Sequence, residues 1–314
     1  MASLKAIGFR ALRSVVTLFL CVTLVFVILR AAGDPSEELL PPETPPDVRQ
    51  EYRVRWELDQ PIVVQYFNFL DRVAHGDLGV SFASDLPATQ LIMEAMPKTL
   101  LLGFSALLLA TLIGMSLGVA AALKHGTTVD RSLIAVAVLG YSMPLFFLGI
   151  LLILVFALHL RILPSSGSSS PLHLIMPTVT LALPLAGRVA RFARTATLEV
   201  MGKPFIRTAR AKGVGQLPVI LRHALPNAMV PLLMFFGIEI GLILSGAVVT
   251  ETIFAWPGLG RLLVDSVGMR DLPVVQAVIL MITLIIVLSN LFVDILHALL
   301  DPKVSLARTL GGAG

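Results

Sequence analysis

The sequence is poor in charged residues and almost without cysteine. Only 14% of its 314 residues are charged, whereas 56% are hydrophobic. A soluble domain usually carries about 25% charged residues, so this chain has too few to cover its surface in water. The same hydrophobic surplus excludes an intrinsically disordered chain. We therefore predict that most of the chain lies in a lipid bilayer.

Several chemistries are excluded by what is missing. The single cysteine, Cys21, cannot form an internal disulfide or a cysteine-built zinc site. The chain has no GxxxxGK[ST] run for ATP and no HExxH pair for a metalloprotease. Its six histidines are scattered, and the serine-rich stretch at 165–171 has no base at a suitable spacing around it. We predict no catalytic residue, no metal and no cofactor in this chain.

Hydrophobic stretches long enough to cross a membrane are present instead. Six are found, at residues 14–32, 99–123, 132–158, 172–187, 228–249 and 274–300. The fourth is short and contains Pro177 and Pro184, which predicts a kinked or irregular helix. The fold class predicted is all-α, a polytopic membrane protein with six transmembrane helices.

The distribution of charge between the spans predicts the orientation. If segment 1–13 is cytoplasmic, segments 188–226 and 301–314 are cytoplasmic too, and most lysines and arginines lie inside. Segments 33–98 and 250–273 are then external and hold most of the acidic residues. This agrees with the positive-inside rule, so both termini are predicted to be cytoplasmic. The basic net charge follows from topology and does not indicate nucleic-acid binding. Segment 33–98 is either a partly ordered cap or a docking surface for an external partner.

The internal segment PFIRTARAKGVGQLPVILRHALPN, residues 204–227, has a distinct pattern. Small and apolar residues are interspersed with Arg207, Arg210 and other basic residues, which predicts a short amphipathic helix broken near Gly213. A second helical piece then enters the membrane at Pro226. Contact with anionic lipid explains the charges, but it does not explain a compact helix–glycine–helix element between two spans.

This segment resembles the cytoplasmic motif E-A-A-x3-G-x9-I-x-L-P of binding-protein-dependent ABC importer permeases. With Gly213 on the motif glycine, Arg207–Ala209 fall on E-A-A, His223 on isoleucine, and Leu225–Pro226 on the closing pair. Arg207, Thr208 and His223 depart from the general motif. The form R-T-A-R-A-K-G with R-H-A-L-x-N is, however, similar to the dipeptide/oligopeptide branch.

Further stretches carry the same resemblance over nearly the whole chain. They include LDQPIVVQYFNFL at 58–70, GDLGVSF at 76–82 and ETIFAWPGLG at 251–260. The chain looks like the B-type permease subunit of a dipeptide, oligopeptide, nickel or glutathione importer.

The resemblance implies a type I ABC importer permease fold, with residues 99–300 as the permease domain, in the bacterial inner membrane. It implies four kinds of partner: a second permease subunit in a heterodimer, two ATP-binding subunits, an external solute-binding protein, and the lipid bilayer. The expected function is uptake of small peptides by alternating access driven by the partner ATPases, with nickel or glutathione as alternative solutes. The residues expected to couple this chain to an ATPase are Arg207, Thr208, Ala209, Arg210, Gly213, Leu225 and Pro226.

Polar residues within the spans are candidates for the translocation pathway, because burying them in lipid is costly. Glu239 either lines the solute path or pairs with a neighbouring helix. Asn290 and Asp294 lie about one turn apart, and a hydrogen bond between helices is favoured there. Two other classes remain open. A secondary transporter would often show inverted repeats, and no convincing repeat is found; an intramembrane enzyme would need a catalytic constellation.

Overall fold

The computed structural model describes residues 2–31, 36, 40, 43–215 and 218–300 of the chain. The predicted C-terminal segment 301–314 lies outside the described residues. Regular structure in the described part is helical, apart from one isolated bridge between Val80 and Pro87. The helices are α1 (Ala2–Ala31), α2 (Pro46–Arg55), α3 (Ile62–Ala74), α4 (Ala88–Leu123), α5 (Thr128–Ser142), α6 (Leu145–Leu152), α7 (Leu172–Met201), α8 (Pro204–Ala211), α9 (Leu225–Ile253), α10 (Leu259–Gly268) and α11 (Leu272–Leu300). Two π-helical turns, Ile153–His159 and Val219–Ala224, follow α6 and precede α9.

The hydrophobic helices match the prediction of a polytopic membrane protein. Within the described residues, five helices are long and apolar enough to cross a membrane, or six if one bent pair forms a single span. That pair is α5 with α6 and its π-helical turn, at an angle of 96°. Pro144 explains the break, because it has no N–H to donate and holds the preceding Met143 in an extended conformation (φ −81°, ψ 132°).

The helix α7 is longer than the predicted span 172–187. It continues past Gly187 to Met201 and includes both Pro177 and Pro184. The buried residues of its second half recur at helical spacing, among them Val189, Ala193 and Val200. Residues 188–201 therefore belong to a helix, and the loop expected from Arg188 onward begins only at Gly202.

The chain divides into two compact units. The first consists chiefly of Leu100–Trp256, and the second of Arg10–Thr99 with Pro257–Val287. In the first unit, α7 is the central helix, and buried residues of α4, α7 and α9 form one hydrophobic cluster around it. Close approach depends on small residues, as in many membrane bundles. A Cβ at Gly118 of α4 would collide with the Ala190 carbonyl of α7 and lie 2.8 Å from the Ala193 Cβ.

The second unit has its own packed clusters. Phe26 of α1 lies against Phe69 of α3, with ring centroids 5.6 Å apart. Ala88 and Ile92 at the start of α4 pack against Leu259 of α10 and Val274 of α11. The carboxylate of Asp271 accepts hydrogen bonds from Ser81 Oγ at 2.5 Å and from the Phe82 amide at 3.0 Å. These bonds tie the GDLGVSF stretch to the start of α11.

Candidate functional site

The short helix α8 is anchored to the first unit by apolar side chains, of which Ile206 is the most deeply buried. Pro204 starts the helix, where its missing N–H costs nothing. Ile206 is completely buried in a cluster with Val200 of α7, Val219, and Ala228 of α9. The remaining face of α8 is available: Arg207, Thr208 and Arg210 are exposed and Ala209 is half-buried. Four of the predicted coupling residues therefore lie together on an anchored helix.

Gly213 ends α8 in the left-handed conformation, at φ +78°. The Gly213 amide donates to the Arg210 carbonyl at 2.9 Å and the Val214 amide to the Ala209 carbonyl at 3.2 Å. This pair of bonds is a Schellman motif, in which glycine is favoured because a Cβ is strained at positive φ. Ala209 and Val214 also pack against the cluster around Ile206. The reversal predicted at Gly213 is thus a defined helix cap.

The chain then returns to the membrane-spanning part through the π-helical turn Val219–Ala224 and α9. Leu225 begins α9 and Pro226 follows it in the first helical turn. Asn227 Nδ2 donates to the His223 carbonyl at 2.7 Å across this junction. Because the cluster around Ile206 joins α8 to the end of α7 and the start of α9, a displacement of α8 has a packed route into both helices.

Glu239 has a partner on a neighbouring helix. It is 2% exposed, and its carboxylate accepts three hydrogen bonds from Arg188 of α7, at 2.6, 2.9 and 3.1 Å. The planar guanidinium matches both carboxylate oxygens, which is the strongest geometry for such a pair. The sequence left two interpretations of Glu239 open, and the contact with Arg188 supports pairing with a neighbouring helix. Whether it also meets solute stays a prediction.

The other two pathway candidates lie on α11. Asn290 is exposed, and its Oδ1 is 3.6 Å from the place that a Cβ would take on Gly237 of α9. It is therefore near α9 at Gly237. Asp294 belongs to α11, but its side chain lies outside the described part of the structure. The predicted hydrogen bond between helices at this point stays a prediction.

A second ion pair, which sequence reasoning did not single out, joins α7 to α5. Arg194 donates to both oxygens of Asp130, at 2.7 and 2.8 Å, and to His125 Nδ1 at 3.0 Å. Asp130 is 3% exposed and also accepts from the Gly126 amide at 3.0 Å. The signal was available: Arg188, Arg191 and Arg194 recur every third residue, a spacing that places them on one side of a helix.

Comparison with known proteins identifies the family. Residues 114–306 match the model of the "Binding-protein-dependent transport system inner membrane component". The chain belongs to this family and is a permease subunit of an ABC importer. Within it, the chain falls in the peptide/glutathione branch, as predicted. It is 40% identical over 296 residues to the "Glutathione transport system permease protein GsiC" of Salmonella choleraesuis (strain SC-B67) and to the protein of that name in Escherichia coli (strain K12). Each match covers 94% of this chain and 97% of the relative.

Solved structures agree on the fold. Two inward-facing crystal forms of the MetNI methionine ABC transporter align with TM-scores of 0.59 and 0.56, at 20% and 18% identity. Each alignment covers 68% of this chain and 97% of the matched chain. The predicted fold, a polytopic permease of an ABC importer, is confirmed.

Proposed function

We propose that this permease takes up small peptides and that glutathione, a tripeptide, is the first solute to test. The observation that carries this proposal is the 40% identity, over 94% of the chain, to permeases named for glutathione transport. A match over 296 of 314 residues must include the segment between α7 and α9 and the spans beside it, so the likeness is not confined to one motif. Nickel is the alternative solute, and uptake measurements distinguish it from peptides.

The proposed mechanism is alternating access driven by partner subunits. We infer that the chain works with a second permease, two ATP-binding subunits and an external solute-binding protein. The complex would lie in the inner membrane of a bacterium, and both termini of this chain would be cytoplasmic. On this view segment 33–98 faces the solute-binding protein. The solute would pass between the two permeases, which is why one chain need not enclose the whole pathway.

The helix α8 is the proposed contact with an ATP-binding subunit. Arg207 and Arg210 are exposed on it and can pair with acidic groups of a groove. Thr208 and Ala209 are small enough to let that surface approach the backbone closely. Leu225 and Pro226 begin the helix that would carry the movement inward. The support for this assignment is that α8 is both exposed and firmly anchored through Ile206.

The experiment is reconstitution of the complete importer in proteoliposomes. ATP-dependent uptake of glutathione, a dipeptide and Ni²⁺ is measured side by side, with and without the solute-binding protein. We expect uptake of peptide that requires ATP and the solute-binding protein. Uptake of Ni²⁺ alone would overturn the solute proposal, and uptake driven by an ion gradient without ATPase subunits would overturn the mechanism. Purification of Arg207→Glu/Arg210→Glu should recover less ATPase subunit than the wild type.

A further inference from the structure

An open cavity of about 670 Å³ lies beside α7 in the first unit. Its volume is within the range of small-molecule sites in proteins. Its wall includes three arginines of α7, Arg188, Arg191 and Arg194, together with Glu199, Phe192 and Phe235. Charged side chains on membrane-spanning helices are costly in lipid and normally face protein or a water-filled cavity. The cavity provides such a setting for these residues.

The charges around this cavity are compensated, with one exception. Arg188 is paired with Glu239, Arg194 with Asp130, and Glu199 lies 3.5 Å from Lys203 Nζ. Arg191 has a different environment. Its Nη1 donates to the Tyr141 hydroxyl at 2.9 Å, and its guanidinium carbon lies 5.3 Å from the centre of the Tyr141 ring.

Arg191 is exposed, and among the residues that the structure describes it has no carboxylate partner. The cation–π contact with the Tyr141 ring and the hydrogen bond to its hydroxyl together hold the guanidinium in place. The uncompensated charge in this cavity is therefore positive and oriented by a tyrosine.

An aromatic pair forms another part of the wall. The rings of Phe192 and Phe235 are stacked, with centroids 4.9 Å apart and an angle of 22° between their planes. Phe192 is next to Arg191 in sequence. An apolar wall beside one fixed polar group is the usual composition of a small-molecule site.

We propose that this cavity binds a peptide solute through a carboxylate, which Arg191 contacts with its guanidinium, while Phe192 and Phe235 contact the apolar part. The proposal rests on the proposed function, because it names the solute class that this permease itself recognises. Arg188 and Arg194 stay paired with Glu239 and Asp130, so the uncompensated positive charge of the cavity comes from Arg191. The solute-binding protein would then not be the sole source of selectivity.

The test measures binding to the assembled transporter without its solute-binding protein. Purified complex of permeases and ATPases is titrated with a tripeptide and with the C-terminal amide of the same tripeptide, and binding is followed by saturation-transfer NMR. We expect the wild type to prefer the free carboxylate by about tenfold, the discrimination of one charged hydrogen-bonding pair. Arg191→Gln should bind both ligands equally, and Arg191→Lys should be intermediate because it keeps the charge without the fork.

Arg131→Gln is the matched control, since Arg131 is an exposed arginine of α5 that does not line the cavity. It should keep the wild-type preference. The site is overturned if the wild type binds neither ligand, if it shows no preference, or if Arg191→Gln keeps the preference. Loss of the second permease from purified Arg191→Gln also overturns it, because Arg191 would then serve the subunit interface. The proposed function is judged separately, by ATP-dependent uptake by the wild type with its solute-binding protein.

Discussion

Arg188 on α7 holds both carboxylate oxygens of Glu239 on α9, with the shortest contact at 2.6 Å. The two residues are 51 positions apart in sequence. Both lie on helices that meet in the main hydrophobic cluster of the first unit. A buried pair of this kind adds little net stability when intact, but removing one partner leaves an uncompensated charge.

The first prediction concerns this pair. Arg188→Met should destabilise the purified complex by about 2–3 kcal/mol, below the ~3–5 kcal/mol of a fully buried pair because Arg188 keeps about a third of its exposure. The double variant Arg188→Met/Glu239→Met should recover much of that loss, since no charge is left unpaired. Thermal unfolding followed by intrinsic fluorescence provides the comparison. Additive losses in the double variant would show that the two residues act independently.

The second prediction concerns Gly213. Valine at φ +78° is strained, so Gly213→Val should distort the cap of α8 and lower uptake while ATP hydrolysis continues. Membrane insertion should be unchanged. The two rates are measured on the same proteoliposomes. Gly215→Val is the matched control, because a Cβ there would lie at an ordinary 3.8 Å from Pro218. Coupled uptake by Gly213→Val would remove α8 from the proposed coupling path.

Much of the fold could be predicted from hydrophobic runs. The uncharged stretches 99–123 and 274–293 lie within α4 and α11, because a long apolar segment in lipid must satisfy its backbone hydrogen bonds as a helix. The reversal at Gly213 was predictable for a similar reason: only glycine takes that conformation without strain. These features depend on local physics, and local sequence is enough to specify them.

Other features depend on packing between distant segments. A search for uncharged runs ends the fourth span before Arg188, whereas α7 continues to Met201. The helix can continue because its arginines face a cavity and pair with carboxylates of other helices. Residues 132–158 are predicted as a single span, because the break at Pro144 and the angle of 96° between the helices that it separates do not show in a count of apolar residues. The spacing of Arg188, Arg191 and Arg194 places them on one side of a helix, but it does not say which carboxylates they meet. Glu239 and Asp130 lie 51 and 64 positions from their arginines, on other helices.

The third prediction tests close helix packing in the first unit. Gly118→Ala places a Cβ against the Ala190 carbonyl and 2.8 Å from the Ala193 Cβ, so α4 and α7 must separate. We expect a loss of about 1–3 kcal/mol, typical of overpacking. Gly103→Ala, on the same helix, would meet Ile243 at an ordinary 3.5 Å and should be neutral or slightly stabilising. Equal unfolding temperatures for the two variants would contradict the close approach.

The fourth prediction concerns Asp271 in the second unit. Both its carboxylate oxygens accept hydrogen bonds, from Ser81 Oγ and from the Phe82 amide, and the residue is 3% exposed. Asp271→Asn replaces one acceptor with an NH2 group that faces a donor, so one buried bond is lost and about 1–3 kcal/mol with it. The exposed Asp265, whose contact with Arg261 spans 3.5 Å within α10, provides the control. Asp265→Asn should change stability by less than about 1 kcal/mol.

Limited proteolysis of the purified complex reports the difference, since release of the GDLGVSF stretch should expose residues 76–82 to cleavage in Asp271→Asn alone. Equal cleavage of the two variants would mean that packing around Ile92 and Leu259, and not this carboxylate, holds the stretch in place.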